Sequence, residues 1–164
     1  MRPTSDKVRE AIFDIMRPVV TDEAFLDLFA GTGGMGIEAL SQGVMRAVFI
    51  EKNARVISVL RENINNLHLE DRAEIIPLSV TRGLRLLKMR GEQFRLIFLD
   101  PPYHSNLVEK ALLELSEAKV VAENGIVIAE HPSNEIVKSS YEDLVLDDRR
   151  QYGQTLISFF TYHA

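Results

Sequence analysis

The feature that most constrains this chain is a short apolar run, Phe25 to Phe29, that passes straight into Ala30-Gly31-Thr32-Gly33-Gly34-Met35-Gly36 and then into helix-forming sequence. Glycines at the spacing Gly31-x-Gly33-x-x-Gly36 between a strand and a helix allow a tight turn, a close approach to a ligand and amide N–H groups aimed outward from a helix N-terminus. Glu51, about twenty residues further on, closes the next apolar run, where a carboxylate accepts hydrogen bonds from ribose hydroxyls. A dinucleotide and S-adenosyl-L-methionine both satisfy this pattern. Asp27 helps to separate them, because a carboxylate near the loop repels a pyrophosphate and favours the ammonium and sulfonium charges of S-adenosyl-L-methionine.

The remainder alternates in the same way. Val8, Ile12, Ile15 and Met16 have helical spacing, with Thr4 or Ser5 as the cap and Pro18 past the end. After the glycine turn a helix runs to Gly43, and Val44 to Ile50 is a strand. Asn53 caps a helix expected to turn Val56, Leu60, Ile64 and Leu67 inward. Ala73 to Leu78, Phe94 to Leu99 and Gly125 to Ala129 read as strands, separated by helices at Thr81 to Met89 and about Ser105 to Ala118. Tyr141 to Asp147 and Thr155 to Tyr162 are rich in β-formers, with residues 148–154 between them as a turn region. The pattern predicts an α/β fold: a doubly wound, mostly parallel, seven-stranded sheet with a C-terminal antiparallel hairpin. With 164 residues, 46% of them hydrophobic, one domain is expected, residues 1–17 forming its N-terminal helix.

The strand from Phe94 ends on Asp100-Pro101-Pro102-Tyr103. Proline fixes its own φ and drives the preceding residue away from helix, so Asp100 and Pro101 are both held extended. The result is a stiff pair of acceptors, a carboxylate and a carbonyl, beside an aromatic ring. Such a pair suits a planar group bearing an NH2.

Composition limits the partners. A formal net charge of −5 argues against a general nucleic-acid binder and for a local basic patch at most. Arg82, Arg85 and Lys88, with Arg90 and Arg95 nearby, form the most basic stretch, which fits either phosphate contact or a solvated helix face. There are no cysteines, no apolar run of membrane-spanning length and no signal-peptide core, so a cytoplasmic protein is expected. The four histidines, His68, His104, His131 and His163, lie at unrelated spacings, and no metal site is expected.

Asp27-Leu-Phe-Ala-Gly-Thr-Gly-Gly-Met-Gly36 followed by Asp100-Pro-Pro-Tyr103 resembles motifs I and IV of the class I S-adenosylmethionine-dependent amino-methyltransferases. Arg2-Pro-Thr-Ser-Asp-Lys-Val-Arg-Glu-Ala-Ile-Phe13, Phe49-Ile-Glu-Lys52 and Tyr152-Gly153 with Thr155 narrow the resemblance to the bacterial RsmD family, over nearly the whole chain. That family methylates N2 of one guanine in 16S ribosomal RNA. The resemblance implies S-adenosyl-L-methionine as cofactor, held by Asp27, Phe29, Ala30, Gly31, Thr32, Gly33, Gly36, Glu51, Lys52, Ser79 and Val80. It implies Asp100, Pro101, Pro102 and Tyr103 as the catalytic loop, with Arg2, Thr4, Lys7, Arg9 and His104 near the substrate.

In that mechanism Asp100 and the Pro101 carbonyl accept the two amine hydrogens, so that the nitrogen lone pair points at the methyl group for in-line displacement. Tyr103 stacks on a base that has left its own stack. The implied partner is 16S ribosomal RNA, within a partly assembled small subunit or alone, and the chain is expected to be a monomer. Two departures stand out: the sequence opens inside the Arg-Pro-Thr motif, before which the family usually has a further basic segment, and Ser79-Val80 stands where an acidic residue commonly meets the adenine. An adenine-N6 or protein-glutamine methyltransferase would use the same loop, and a non-catalytic nucleotide-binding module would use the glycine turn alone.

Overall fold

In the computed structural model residues 6–17, 23–103 and 106–164 are described. Helix α1 (Asp6–Met16) is followed by β1 (Ala24–Leu28), α2 (Gly34–Gln42), β2 (Arg46–Ile50), α3 (Ala54–Asn66), β3 (Ala73–Ile76), α4 (Val80–Arg90) and β4 (Phe94–Leu99). Then come α5 (Leu107–Ala118), β5 (Val121–Pro132), β6 (Ser140–Tyr141), β7 (Leu144–Tyr152) and β8 (Thr155–Tyr162). All the strands join one sheet in the order β3-β2-β1-β4-β5-β8-β7-β6. The first five pair in parallel and the last three antiparallel.

The central parallel strands β1, β2 and β4 are buried on both faces, and the pleat sorts their side chains. Leu26, Leu28, Ile97 and Leu99 face a core closed by Leu84 and Leu87 of α4 and by Val108, Leu112 and Leu115 of α5. Phe25, Phe49, Leu96 and Phe98 face the other core, closed by Ile12, Phe13 and Met16 of α1, by Met35 and Leu40 of α2 and by Leu60 and Ile64 of α3. Strand order reverses between β1 and β4, and in open α/β sheets the crevice beyond the strands' C-terminal ends at that point is where ligands bind. Among the described residues no helix is long and apolar enough to cross a membrane.

The sheet has eight strands rather than seven. Glu142 adopts φ 53° and breaks the expected strand at Tyr141 to Asp147, so that β6 folds back on the start of β7. Residues 148–151, expected in a turn, are strand: β7 runs to Tyr152 and pairs Asp148 with Phe159 and Gln151 with Leu156. The turn itself is only Gly153 and Gln154, with Gly153 at φ 62°, the positive value that a two-residue hairpin needs at its first central position. Strand β5 starts earlier than expected, at Val121, and slips register against β4 between Phe94 and Leu96. On α3 the buried residues are Ile57, Leu60 and Ile64, whereas Leu67 lies beyond the helix and is 55% exposed.

Candidate active site

Three strand ends build the site. At the end of β1, Asp27 is buried and accepts a hydrogen bond from the Gly36 N–H at 3.1 Å. That bond ties the carboxylate to the first turn of α2. Phe29 then takes φ 59°, and Gly33, in the turn before α2, takes φ 93°. A Cβ on Gly33 would stand 2.3 Å from Leu60 Cδ1, and one on Gly36 2.3 Å from Phe49 Cε1. The two glycines are therefore required by conformation and by close helix-on-strand packing respectively.

At the end of β2, Glu51 is buried, and each of its oxygens accepts a backbone N–H: Oε1 from Gly31 at 2.9 Å and Oε2 from Asn53 at 3.0 Å. One side chain thus fixes the glycine turn to the start of α3. The Ala30 N–H donates to the Ile50 carbonyl at 3.0 Å, and the Thr32 carbonyl accepts from Asn63 Nδ2 at 2.9 Å. At the end of β4, Asp100 is half-buried, Pro101 buried, and Pro102 and Tyr103 exposed.

The carboxylates feel one another. Burial holds the Asp27 carboxyl well above its usual value, the Gly36 N–H opposes the shift, and the charges of Asp100 and Glu51 push it higher still. This end of the sheet is therefore a well of three neighbouring carboxyl groups, whose charged forms are favoured by a ligand carrying positive charge.

Beside the well lies a cavity of about 410 Å³, walled by Phe29, Glu51, Lys52, Ser79, Val80 and Pro102 among the residues expected from sequence. Its size is that of a small-molecule site. Residues that the sequence did not assign to the site also line it, among them Leu107, Lys110, Ala111 and Glu114 from α5 and Val56 from α3. Their place depends on which helix folds over the β2 and β4 ends, a tertiary fact with no local signal. Asn53, read only as a cap, does cap α3 through Oδ1 and also lines the cavity. Ser79 has a second use, since its Oγ accepts the Arg82 N–H at 3.3 Å as the cap of α4; its hydroxyl hydrogen is the part suited to an adenine acceptor.

Of the expected substrate residues, Lys7 is exposed on α1, and Arg9 is half-buried and paired with Asp6. The Arg9 Nη1 stands 3.3 Å from where a Cβ on Gly34 would be, which places its guanidinium against the start of α2. Arg2, Thr4 and His104 lie outside the described residues, as do the cap candidate Ser5 and Pro18. In the basic stretch, Arg90 is engaged with Glu74 and Glu92, and Arg95 with Glu23.

The model of the family described as Conserved hypothetical protein 95 matches residues 1–161. This chain belongs to that family, the RsmD family. The YlbH protein of Bacillus subtilis is 35% identical over 159 residues, spanning 97% of this chain and 86% of that protein. The ribosomal RNA small subunit methyltransferase D of Haemophilus influenzae is 36% identical over 133 residues, 79% of this chain and 67% of that protein. Among solved structures, a hypothetical protein of Thermus thermophilus, TTHA0928, superposes with a TM-score of 0.85 at 31% identity, covering 99% of this chain and 88% of that one. Family membership thus spans the glycine turn, the Asp-Pro-Pro-Tyr loop and the C-terminal hairpin alike.

Proposed function

We propose that this member of the RsmD family transfers a methyl group from S-adenosyl-L-methionine to the exocyclic N2 amine of a guanine in 16S ribosomal RNA. The observation that carries the reading is that Pro102, in the loop after β4, lines the same cavity as Glu51 and Lys52 after β2, so donor and acceptor sites meet along one loop. The donor set fits the cofactor: the buried Asp27 and half-buried Asp100 for its positive charges, an apolar cavity edged by the Ser79 hydroxyl for its adenine, and Glu51 for its ribose. When bound, S-adenosyl-L-methionine supplies an electrophilic methyl group.

The chain's residues prepare the nucleophile. A guanine amine is weakly nucleophilic because its lone pair is delocalised into the ring. Asp100 and the Pro101 carbonyl accept its two hydrogens, favour a pyramidal nitrogen and aim the lone pair toward the donor site. Asp100 then takes the proton released after transfer. Tyr103, 41% exposed at the rim, stacks on the extruded base. We read the whole chain as one methyltransferase domain, acting in the cytoplasm as a monomer, with α1 beside the mouth of the site.

The test is transfer of tritiated methyl to small-subunit RNA, and to partly assembled subunits, from a strain lacking the enzyme, followed by mapping of the modified base. Label on guanine N2 supports the reading; label on adenine or on protein alone overturns it. Asp100→Ala should lower transfer at least about 100-fold while affinity for S-adenosylhomocysteine stays within a few-fold.

A further inference from the structure

We propose that Glu130 makes this site accept guanine and refuse adenine, by receiving the N1–H of the target base; the inference rests on the preceding reading, in which the loop after β4 holds the exocyclic amine. Strands β4 and β5 are parallel neighbours with Phe98 opposite Ile128 and Leu99 opposite Ala129, the last pair of the ladder, and Asp100 and Glu130 are the residues that follow that pair on the two chains. Phe98 and Ile128 both face the core under α1 to α3. Two residues on from Ile128, Glu130 continues that face within β5, and Asp100, two residues on from Phe98, leaves the end of the neighbouring strand one strand spacing (~4.8 Å) away. On the far side Glu130 is opposite Ile157, which faces the same core. Asp27 is opposite Phe98 and so shares the face as well.

Glu130 is only 4% exposed. A carboxylate is costly to bury, and a base that reaches it must itself be brought out of water. On guanine the N2 amine sits beside the N1–H, so two neighbouring positions on one edge donate. With Asp100 and the Pro101 carbonyl on the amine, the N1–H needs an acceptor one step along that edge, and the next strand supplies a carboxylate. On adenine the amine sits beside the bare N1 lone pair, and a carboxylate there repels it. A pocket whose buried polar group is left unmatched discriminates strongly. Asp-Pro-Pro-Tyr handles any planar amine, so selection between bases falls to a residue outside that motif.

The experiment uses the full chain and a small-subunit RNA carrying guanine or 2-aminopurine at the target position. 2-Aminopurine keeps the N2 amine and has no N1–H. The wild type should favour guanine at least about 100-fold in kcat/KM. Glu130→Gln, whose amide can donate to a bare N1, should reduce that ratio to about 10 or below with S-adenosylhomocysteine affinity unchanged. A wild-type ratio near one overturns the inference, as does a Gln variant that binds S-adenosylhomocysteine normally and keeps the wild-type ratio. If the Gln variant no longer binds S-adenosylhomocysteine, Glu130→Ala is judged by the same ratio. Wild-type transfer to adenine in place of guanine instead defeats the reading of the reaction itself, and this inference with it.

Discussion

Asp27 is held at a position where the apo protein gains nothing from its charge. Its carboxyl has a raised pKa because it is buried and faces Asp100 and Glu51. A raised folded-state pKa means that Asp27's contribution is most favourable below the ordinary value of 3.8 and is lost as pH climbs through the higher folded value. Asp27→Asn, which keeps an acceptor for the Gly36 N–H, should therefore raise the apo Tm at pH 7, with the gain vanishing as pH falls toward 3.8. The same variant should weaken S-adenosylmethionine binding more than S-adenosylhomocysteine binding, because only the former carries the sulfonium; titration calorimetry of both ligands measures this. Much of the residue-level site can be read from the string: Asp27, Glu51 and Asp-Pro-Pro-Tyr are set by spacing to strand ends. What spacing leaves out is the partner of each atom. Nothing in the sequence says that both Glu51 oxygens meet backbone N–H groups, or that Ser79 Oγ is already committed to Arg82.

Elements meet the site through packing that tolerates little change. A methyl added at Gly36 would overlap the Phe49 ring, so Gly36→Ala should cost about 1–3 kcal/mol in urea denaturation as α2 is forced off β2. Strand β6 is tied to α5 by the Tyr141 hydroxyl, which donates to Glu109 Oε2 at 2.5 Å and accepts from the Lys138 N–H at 2.8 Å. Burial first, then the bond to Glu109, push the Tyr141 hydroxyl up from 10.0 to about 12. Its contribution should be complete below pH 10 and lost between pH 10 and 12, a step in alkaline unfolding that Tyr141→Phe should remove. The strands that the sequence displays best are those buried on both faces, whose continuous apolar runs leave no other reading. Residues 148–151 of β7, three of them charged, are all exposed, so nothing marks them as strand except hydrogen bonding to β8, which is a property of the pair. Likewise the start of β5 is hidden by Asn124 at φ 63° and Gly125, where the chain passes close to the Ala122 carbonyl. On α3, Leu60 and Ile64 face the core as their spacing says, Ile57 joins them, and Val56 lines the cavity instead.

Over the whole molecule, the proposed RNA substrate has to be met by a chain of net charge −5. If only two or three phosphates are neutralised, the logarithm of affinity for a naked RNA fragment should fall against the logarithm of salt with a slope of about −2. A filter-binding series giving a slope steeper than about −6 would instead require a broad basic surface. The fold class followed from the alternation of strand and helix, because a strand that must return parallel needs a crossover, and crossovers wind one way. The cavity did not follow, since it depends on α5 lying over the ends of β2 and β4. That placement has its own consequence. Pro102 and Leu107 both line the cavity, and they bracket the segment by which Asp100 and Pro101 are joined to α5. Occupants of the two sites therefore bear on one short length of chain. By thermodynamic reciprocity, whatever factor a bound nucleoside adds to RNA affinity, bound RNA adds to nucleoside affinity. Under the proposed reaction, release of the spent nucleoside and departure of the methylated strand should then be linked, each slowed by the same factor while the other is bound.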